Sequence, residues 1–295
     1  MKAIKYLSII NLLCLLFSKS LLGYSFSTPL APGPKIKDNY LGILLGFGQN
    51  IQNGISVVDC GNCQFEDGLG FGYTFGFGYE KQVALEDDNK FLSNVFYGAM
   101  LHLSNRNFSS SYRAIEQQDF PEYNVSFPVM YRQTNEINIM TAGLMPYVSY
   151  NPIKYLFVRF GVDASVVFNA NTKHIMELVD RRKTLPNGEV VDIYIPASNN
   201  PNRRTYSTVL QDSPIENLNR FQLGLVPMIG GNIYFTDKFI CSPSFSYYTP
   251  FKNLVTTTDL SVSAWRLNVE FKYNLATEER IYRSPKKKPT VVRRR

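Results

Sequence analysis

Apolar and polar side chains alternate with a period of two in eight separate stretches of the chain, and the last stretch is the most regular. In Trp265 to Leu275 one parity carries Trp265, Leu267, Val269, Phe271, Tyr273 and Leu275, and the other carries Arg266, Asn268, Glu270, Lys272 and Asn274. Successive side chains of a strand point to opposite faces, so the segment is predicted as a strand with one apolar and one polar face. Leu69 to Glu80 repeats the device, setting Leu69, Phe71, Tyr73, Phe75, Phe77 and Tyr79 against Gly70, Gly72, Thr74, Gly76, Gly78 and Glu80. The other predicted strands are Tyr40 to Gln49, Phe91 to Ser104, Ile137 to Tyr150, Tyr155 to Phe168, Phe221 to Phe235 and Phe239 to Tyr248. Pro146 lies on the apolar parity of the fourth; it has no N–H for the ladder, and a bulge is expected there.

The connections alternate in length. Asn50 to Asp67, Asn105 to Glu136, Asn169 to Asn217 and Pro250 to Asp259 are longer and polar, and read as loops, with Val125 to Tyr131 a candidate strand extension beyond the membrane. Between them lie the short turns Glu86 to Lys90, Asn151-Pro152 and Thr236-Asp237. Long loops on one side and short turns on the other are the mark of an up-and-down barrel with an even number of strands. The competing architecture, a soluble lipocalin-like barrel, would turn the polar parity to water. That parity is rich in glycine and poor in charge, which suits a tightly filled lumen better. Each stretch also reaches the 9–11 residues or so that a strand needs to cross a bilayer. The expected fold is therefore all-β, an eight-stranded antiparallel up-and-down transmembrane β-barrel over residues 39–275.

The N-terminus accounts for the long apolar run. Lys2 and Lys5 precede Tyr6 to Phe17, and small residues follow at Ser18, Ser20 and Gly23, the layout of a secretory signal peptide rather than a spanning helix. Cleavage after Ser20, Gly23 or Ser25 fits; residues 1–23 are taken as the signal and 24–38 as a lead. Cys14 does not make a lipoprotein signal, because Leu13 stands where a small residue is needed. With 21 Phe, 19 Tyr and 19 Gly the composition suits a membrane barrel, whose aromatics gather at the interfaces. The formal charge of +7 comes from residues 276–295, whose eight Lys and Arg outnumber two Glu and leave the rest within one charge of neutrality. A basic tail of this kind is not a field over the domain, and it gives no support to nucleic-acid binding.

Laid out this way, the chain resembles the outer-membrane-protein β-barrel family of small OmpA/OmpX-type barrels. Leu144 to Pro152 running into Leu156 to Phe168, and Thr256 to Thr258 leading to Trp265 to Asn268, carry the resemblance, which covers about residues 36–275. It implies the architecture, a cell outer-membrane location and a monomer in outer-membrane lipid, and it leaves activity open. Relatives that add a C-terminal peptidoglycan-binding domain differ from this chain, so their anchoring role is not carried over.

The inward parity holds six charges, Glu80, Arg159, Asp163, Arg266, Glu270 and Lys272. An eight-stranded interior is just wide enough for side chains to fill, and charges buried there must pair. The set reads as a salt-bridged plug, with a narrow gated channel for small solutes as the alternative. Of the two histidines, His102 lies on the inward parity near the outer end of the third strand, where an enzyme would pair it with Asp163 or Ser104, and His174 opens the longest loop. An inward histidine satisfied by neighbours is the expectation, an outer-membrane enzyme the third reading. No catalytic, cofactor-binding or metal residue is assigned. Cys60-Gly-Asn-Cys63 is a candidate loop disulfide in an exported protein, although the spacing is also that of a redox or metal pair. Cys241, on the apolar parity, reads as a small apolar residue. The tail from Arg280 to Arg295 is expected to be a solvated periplasmic segment, or else to contact anionic lipid head groups, lipopolysaccharide or cell-wall polymer. The function expected is structural or loop-mediated interaction at the cell envelope, with an extracellular ligand that the loops do not identify.

Overall fold

The computed structural model of the chain describes residues 38–57, 64–83, 91–120, 125–184, 188–197, 200–236 and 238–275. The signal-peptide segment 1–23, the lead up to residue 37, Cys60 and Cys63, the turn Glu86 to Lys90 and the tail 276–295 lie outside the described residues. The strands are β1 (Asn39–Asn53), β2 (Leu69–Gln82), β3 (Val95–Asn105), β4 (Phe108–Phe120), β5 (Val125–Ile153), β6 (Leu156–Leu178), β7 (Ser207–Pro214), β8 (Phe221–Gly231), β9 (Phe239–Pro250) and β10 (Ser261–Asn274).

Eight of them close on themselves in the order β1–β2–β3–β5–β6–β8–β9–β10, every neighbouring pair antiparallel. The closing contact runs from Tyr40 opposite Asn274 to Asn53 opposite Ser261, which removes the free edge an open sheet would present. The period-two pattern sets which way each strand faces. Ile43, Leu45 and Phe47 on β1, Phe71 to Phe77 on β2, and Leu267, Val269 and Phe271 on β10 are exposed on the outside, while Leu44, Glu80, Asn268 and Glu270 are buried inside. Apolar side chains directed outward around a closed ring are the arrangement a bilayer requires, because only helices and closed barrels satisfy their backbone polar groups in lipid.

The structure corrects three details of the strand reading. β3 starts at Val95 rather than Phe91, because Leu92–Asn94 forms a single 3-10 turn. The sixth stretch breaks after Gly231, and Ile233–Tyr234 pairs separately with Cys241 and Ile240 on β9. Pro146 makes no bulge: it stands opposite Ala99 in unbroken register with β3, and the ladder with β6 skips Met145 and Pro146 and resumes in the same phase at Tyr147. One missing donor therefore costs ladder bonds on one side without displacing the strand. The β5–β6 irregularities lie at Met140/Thr141 and Tyr150/Ile153 instead.

The larger correction concerns the two longest polar connections, which are largely sheet, well beyond the strand extension expected at Val125 to Tyr131, which is the start of β5. β4 continues the line of β3 along β5 in the same phase (Asn105 opposite Met140, Phe108 opposite Ile137), and β5 runs for 29 residues, far beyond the 9–11 or so that cross a bilayer. β6 likewise continues to Leu178, and β7 pairs along its upper part. A four-stranded sheet, β4–β5–β6–β7, thus rises from one side of the barrel on the long-loop end. The pairs Ser56–Val57 with Gln64–Phe65, Arg182–Thr184 with Val190–Asp192, and Ile195–Ala197 with Asn200–Thr205 decorate it. Phe65 packs edge-on against both Tyr112 and His174. A separate apolar cluster of Val129, Tyr131, Leu178, Ile193 and Ile195 gives this extension its own small core.

Candidate functional site: a charged and filled lumen

Side chains on the inward parity fill the barrel in layers. Near the short-turn end, Glu80 comes from β2, Arg159 from β6, and Glu270 and Lys272 from β10. Arg159 Nη2 donates to Glu80 Oε2 at 2.7 Å and Glu270 Oε2 at 3.0 Å, and Lys272 Nζ donates to the same Glu80 oxygen at 3.1 Å. Tyr147 donates its hydroxyl to Glu80 at 3.2 Å, and its ring lies 4.1 Å from the Arg159 guanidinium. Arg159 is 0% exposed, and its three charged partners are buried with it. Two cations and two carboxylates neutralise one another where water cannot, which is the condition for burying charge at tolerable cost.

Above this layer Leu44, Met100, Met145 and Met228 form an apolar cluster, which Phe157 joins from the level of Arg159 and Lys272. A second charged layer follows. His102 Nε2 lies 2.9 Å from Asp163 Oδ1, and Arg106 Nη2 donates to Asp163 Oδ2 at 2.7 Å. The Arg106 guanidinium also stacks 3.8 Å over the Tyr248 ring. Arg266 spans from β10 to neutral oxygens: Nη1 donates to the Gln49 and Trp265 carbonyls at 3.1 and 3.0 Å, and Nη2 to the Asn105 carbonyl at 3.1 Å and to the Asn50 side chain. A cavity of about 60 Å³ lies between the layers, lined by Met100, His102, Arg106, Met228, Tyr248 and Arg266 among others. At the top, Phe108, Ile137, Ile139, Val167, Leu254, Val255, Leu260 and Val262 close the mouth with a buried apolar cap.

The glycines of the polar parity give these charged groups their room. A Cβ at Gly42 would stand 2.9 Å from Glu270 Oε1, and one at Gly72 would stand 2.6 Å from Arg266 Nη2. The strand pattern of aromatic out, glycine in is thus the shape of the lumen written along the chain.

All six charges expected in the lumen point inward, but they do not form one network. Glu80, Arg159, Glu270 and Lys272 form the lower layer, whereas Asp163 and Arg266 lie in the upper one. His102 and Asp163 do meet. Ser104 does not join them; its hydroxyl faces Thr74 at 3.1 Å. Arg106 is not among the six because it stands between Asn105 and Asn107, beyond the expected end of the third strand at Ser104. Its backbone N–H donates to the Ile139 carbonyl at 2.9 Å, continuing the ladder in phase, so counting the parity one turn further would have placed it inside. His174 is not lumenal: it lies on the extension, bonded to Gln133 at 2.9 Å, and burial pushes its imidazole pKa down. Cys241 is a half-buried free thiol facing outward on β9. Among the described residues no group of three His, Cys, Asp or Glu is placed to hold a metal ion.

No protein-family model matches the chain, and no curated protein sequence does. Solved structures with a similar course include Ail, the attachment invasion locus protein of Yersinia pestis, at 11% identity over 80% of this chain and 99% of that one, with a TM-score of 0.30. Neisserial surface protein A matches at 7% identity over 80% and 96%, with a TM-score of 0.34. The outer membrane protease OmpT of Escherichia coli matches at 12% identity over 85% and 100%, with a TM-score of 0.28. Similarity at this level says nothing about activity, and the assignment rests on the chain's own geometry. A ring of eight antiparallel strands that turns its apolar parity outward and folds its charges inward has lipid, not water, as its surrounding solvent, and the chain is an integral transmembrane β-barrel.

Proposed function

We propose that the barrel is a closed membrane anchor whose role is structural or is exercised through the sheet and loops it holds outside the membrane. The observation that carries this reading is the filled lumen: two charged layers with an apolar cluster between them and an apolar cap above. A narrow channel would need a continuous polar path, and the cap and the methionine layer interrupt one. An enzymatic reading would rest on His102 and Asp163, whose side chains are 7% and 3% exposed and lie beneath the cap. The extension adds an interaction surface that a purely structural barrel does not need. Purified protein in planar lipid bilayers should show no unit conductance, and Arg159→Ala or Arg266→Ala should leave it closed. Reproducible conductance steps from the wild-type protein would replace this reading with the channel.

The tail 276–295 is proposed to meet anionic lipid head groups, lipopolysaccharide or cell-wall polymer from the periplasmic side, since its charge is concentrated in Lys286 to Lys288 and Arg293 to Arg295. Deleting residues 280–295 should ease detergent extraction from envelopes; unchanged extraction and envelope integrity would remove the proposal. Cys60 and Cys63 are proposed to form a loop disulfide, which mass spectrometry with and without reductant reads directly.

A further inference from the structure

The buried charges of the lumen do not balance. Among the described residues the fully buried charged side chains are Glu80, Asp163 and Glu270 against Arg106, Arg159, Arg266 and Lys272. The lower layer is neutral, two against two, and Arg106 is matched by Asp163. Arg266 is the fourth cation. It is 5% exposed, makes no ion pair among the described residues, and spends its Nη hydrogens on carbonyl and amide oxygens. Those bonds satisfy its donors but do not cancel its charge, and an uncompensated buried charge is costly.

The place where a compensating charge could sit is the cavity of about 60 Å³ that Arg106 and Arg266 both line. Two groups on its wall are hydrogen-bond donors. Tyr248 is 7% exposed, and its hydroxyl is buried with no hydrogen-bond partner. Among the described residues Arg106 donates Nη2 to Asp163, one of the five N–H donors of a guanidinium, and its plane lies over the Tyr248 ring. The volume exceeds the 10–15 Å³ or so that one water requires, so a monatomic ion fits; the remaining wall is mixed, with Leu44, Met145 and Met228 beside Asn268 and the Asp163 carboxylate, whose charge Arg106 matches. We propose that this cavity is a binding site for a small monovalent anion of halide size, held by the Arg106 guanidinium and the Tyr248 hydroxyl in the positive field of Arg266. The site neutralises the upper layer, and it is independent of whether the barrel acts as an anchor.

The deciding experiment is crystallisation of the full chain in sodium bromide with data collected at the bromine edge. An anomalous peak in the cavity beside Arg106 and Tyr248 is the expected result; water alone at that position overturns the proposal, whatever any other measurement gives. Thermal unfolding in detergent at fixed ionic strength supplies the second readout. Replacing gluconate with chloride at ten times its dissociation constant should raise the midpoint by about 3–5 °C. Arg266→Gln, which removes the unmatched charge, should abolish that dependence and weaken the bromide peak. If Arg266→Gln does not fold, the peak in the wild-type protein still decides. A peak of equal strength in the folded variant would show that Arg266 does not govern the site and would overturn the proposal.

Discussion

Replacing Arg159 with methionine removes the cation that holds the lower charged layer together while keeping most of the side-chain volume. In the wild-type protein its Nη2 bridges Glu80 and Glu270 at 2.7 and 3.0 Å, and all three residues are at most 3% exposed. Without it Glu80 keeps Lys272 at 3.1 Å and the Tyr147 hydroxyl at 3.2 Å, but Glu270 keeps only Lys272 at 3.8 Å. Two carboxylates then share one ammonium, and the layer carries one net negative charge in a dry interior. Breaking a buried pair from one side costs about 3–5 kcal/mol, two to three and a half powers of ten in the folding equilibrium. The same reasoning fixes a rescue: Glu270→Gln in the Arg159→Met background removes the orphaned charge and should recover about 2 kcal/mol. Urea unfolding in lipid vesicles measures both, and Trp265, the single tryptophan, reports on it. A single variant within about 1 kcal/mol of wild type, or a double variant no more stable than the single, would refute the claim that charge balance holds this layer.

Inside the barrel, Gly98→Val should cost about 1–3 kcal/mol by overpacking in the same urea assay, because a Cβ there meets the Tyr79 carbonyl and the Tyr147 ring; the lipid-facing Val148→Leu should be near neutral. Phe65→Ala should cost about 3–5 kcal/mol locally, since its ring is 1% exposed between Tyr112 and His174, and limited proteolysis around residues 64–68 should accelerate. His174 lies above the membrane, and burial disfavours its protonated form. A base whose folded pKa is lowered lends stability that is full above its ordinary value and is lost as pH falls, so amide exchange along Thr172–Met176 and Ser207–Gln211 should quicken below about pH 6.5. Exchange that is flat across that range, after correction for intrinsic rates, would contradict it.

Alternation by itself determined the parts of this protein that touch lipid. Leu69 to Glu80 and Trp265 to Leu275 have an outward face in hydrocarbon and an inward face in a crowded lumen, so their sequences differ sharply between parities, and strand count, facing and closure follow. The same contrast placed Glu80, Arg159, Asp163, Arg266, Glu270 and Lys272 inside. Above the membrane the outward face meets water and becomes polar, as at Arg132, Thr134, Glu136 and Asn138 on β5. Period two then leaves little hydrophobic trace beyond Val125, Phe127, Val129 and Tyr131, which is why β4, β7 and most of the upper parts of β5 and β6 read as loops. Arg106 was lost for the same reason, between two asparagines at that boundary. Only the tertiary structure decided which inward charges meet. Arg159 reaches Glu80 and Glu270 across the barrel, His102 reaches Asp163 and not Ser104, and Arg266 is left with neutral oxygens. Those partners come from strands far apart in the chain, and their contacts depend on the stagger of the closed ring, which no single strand records.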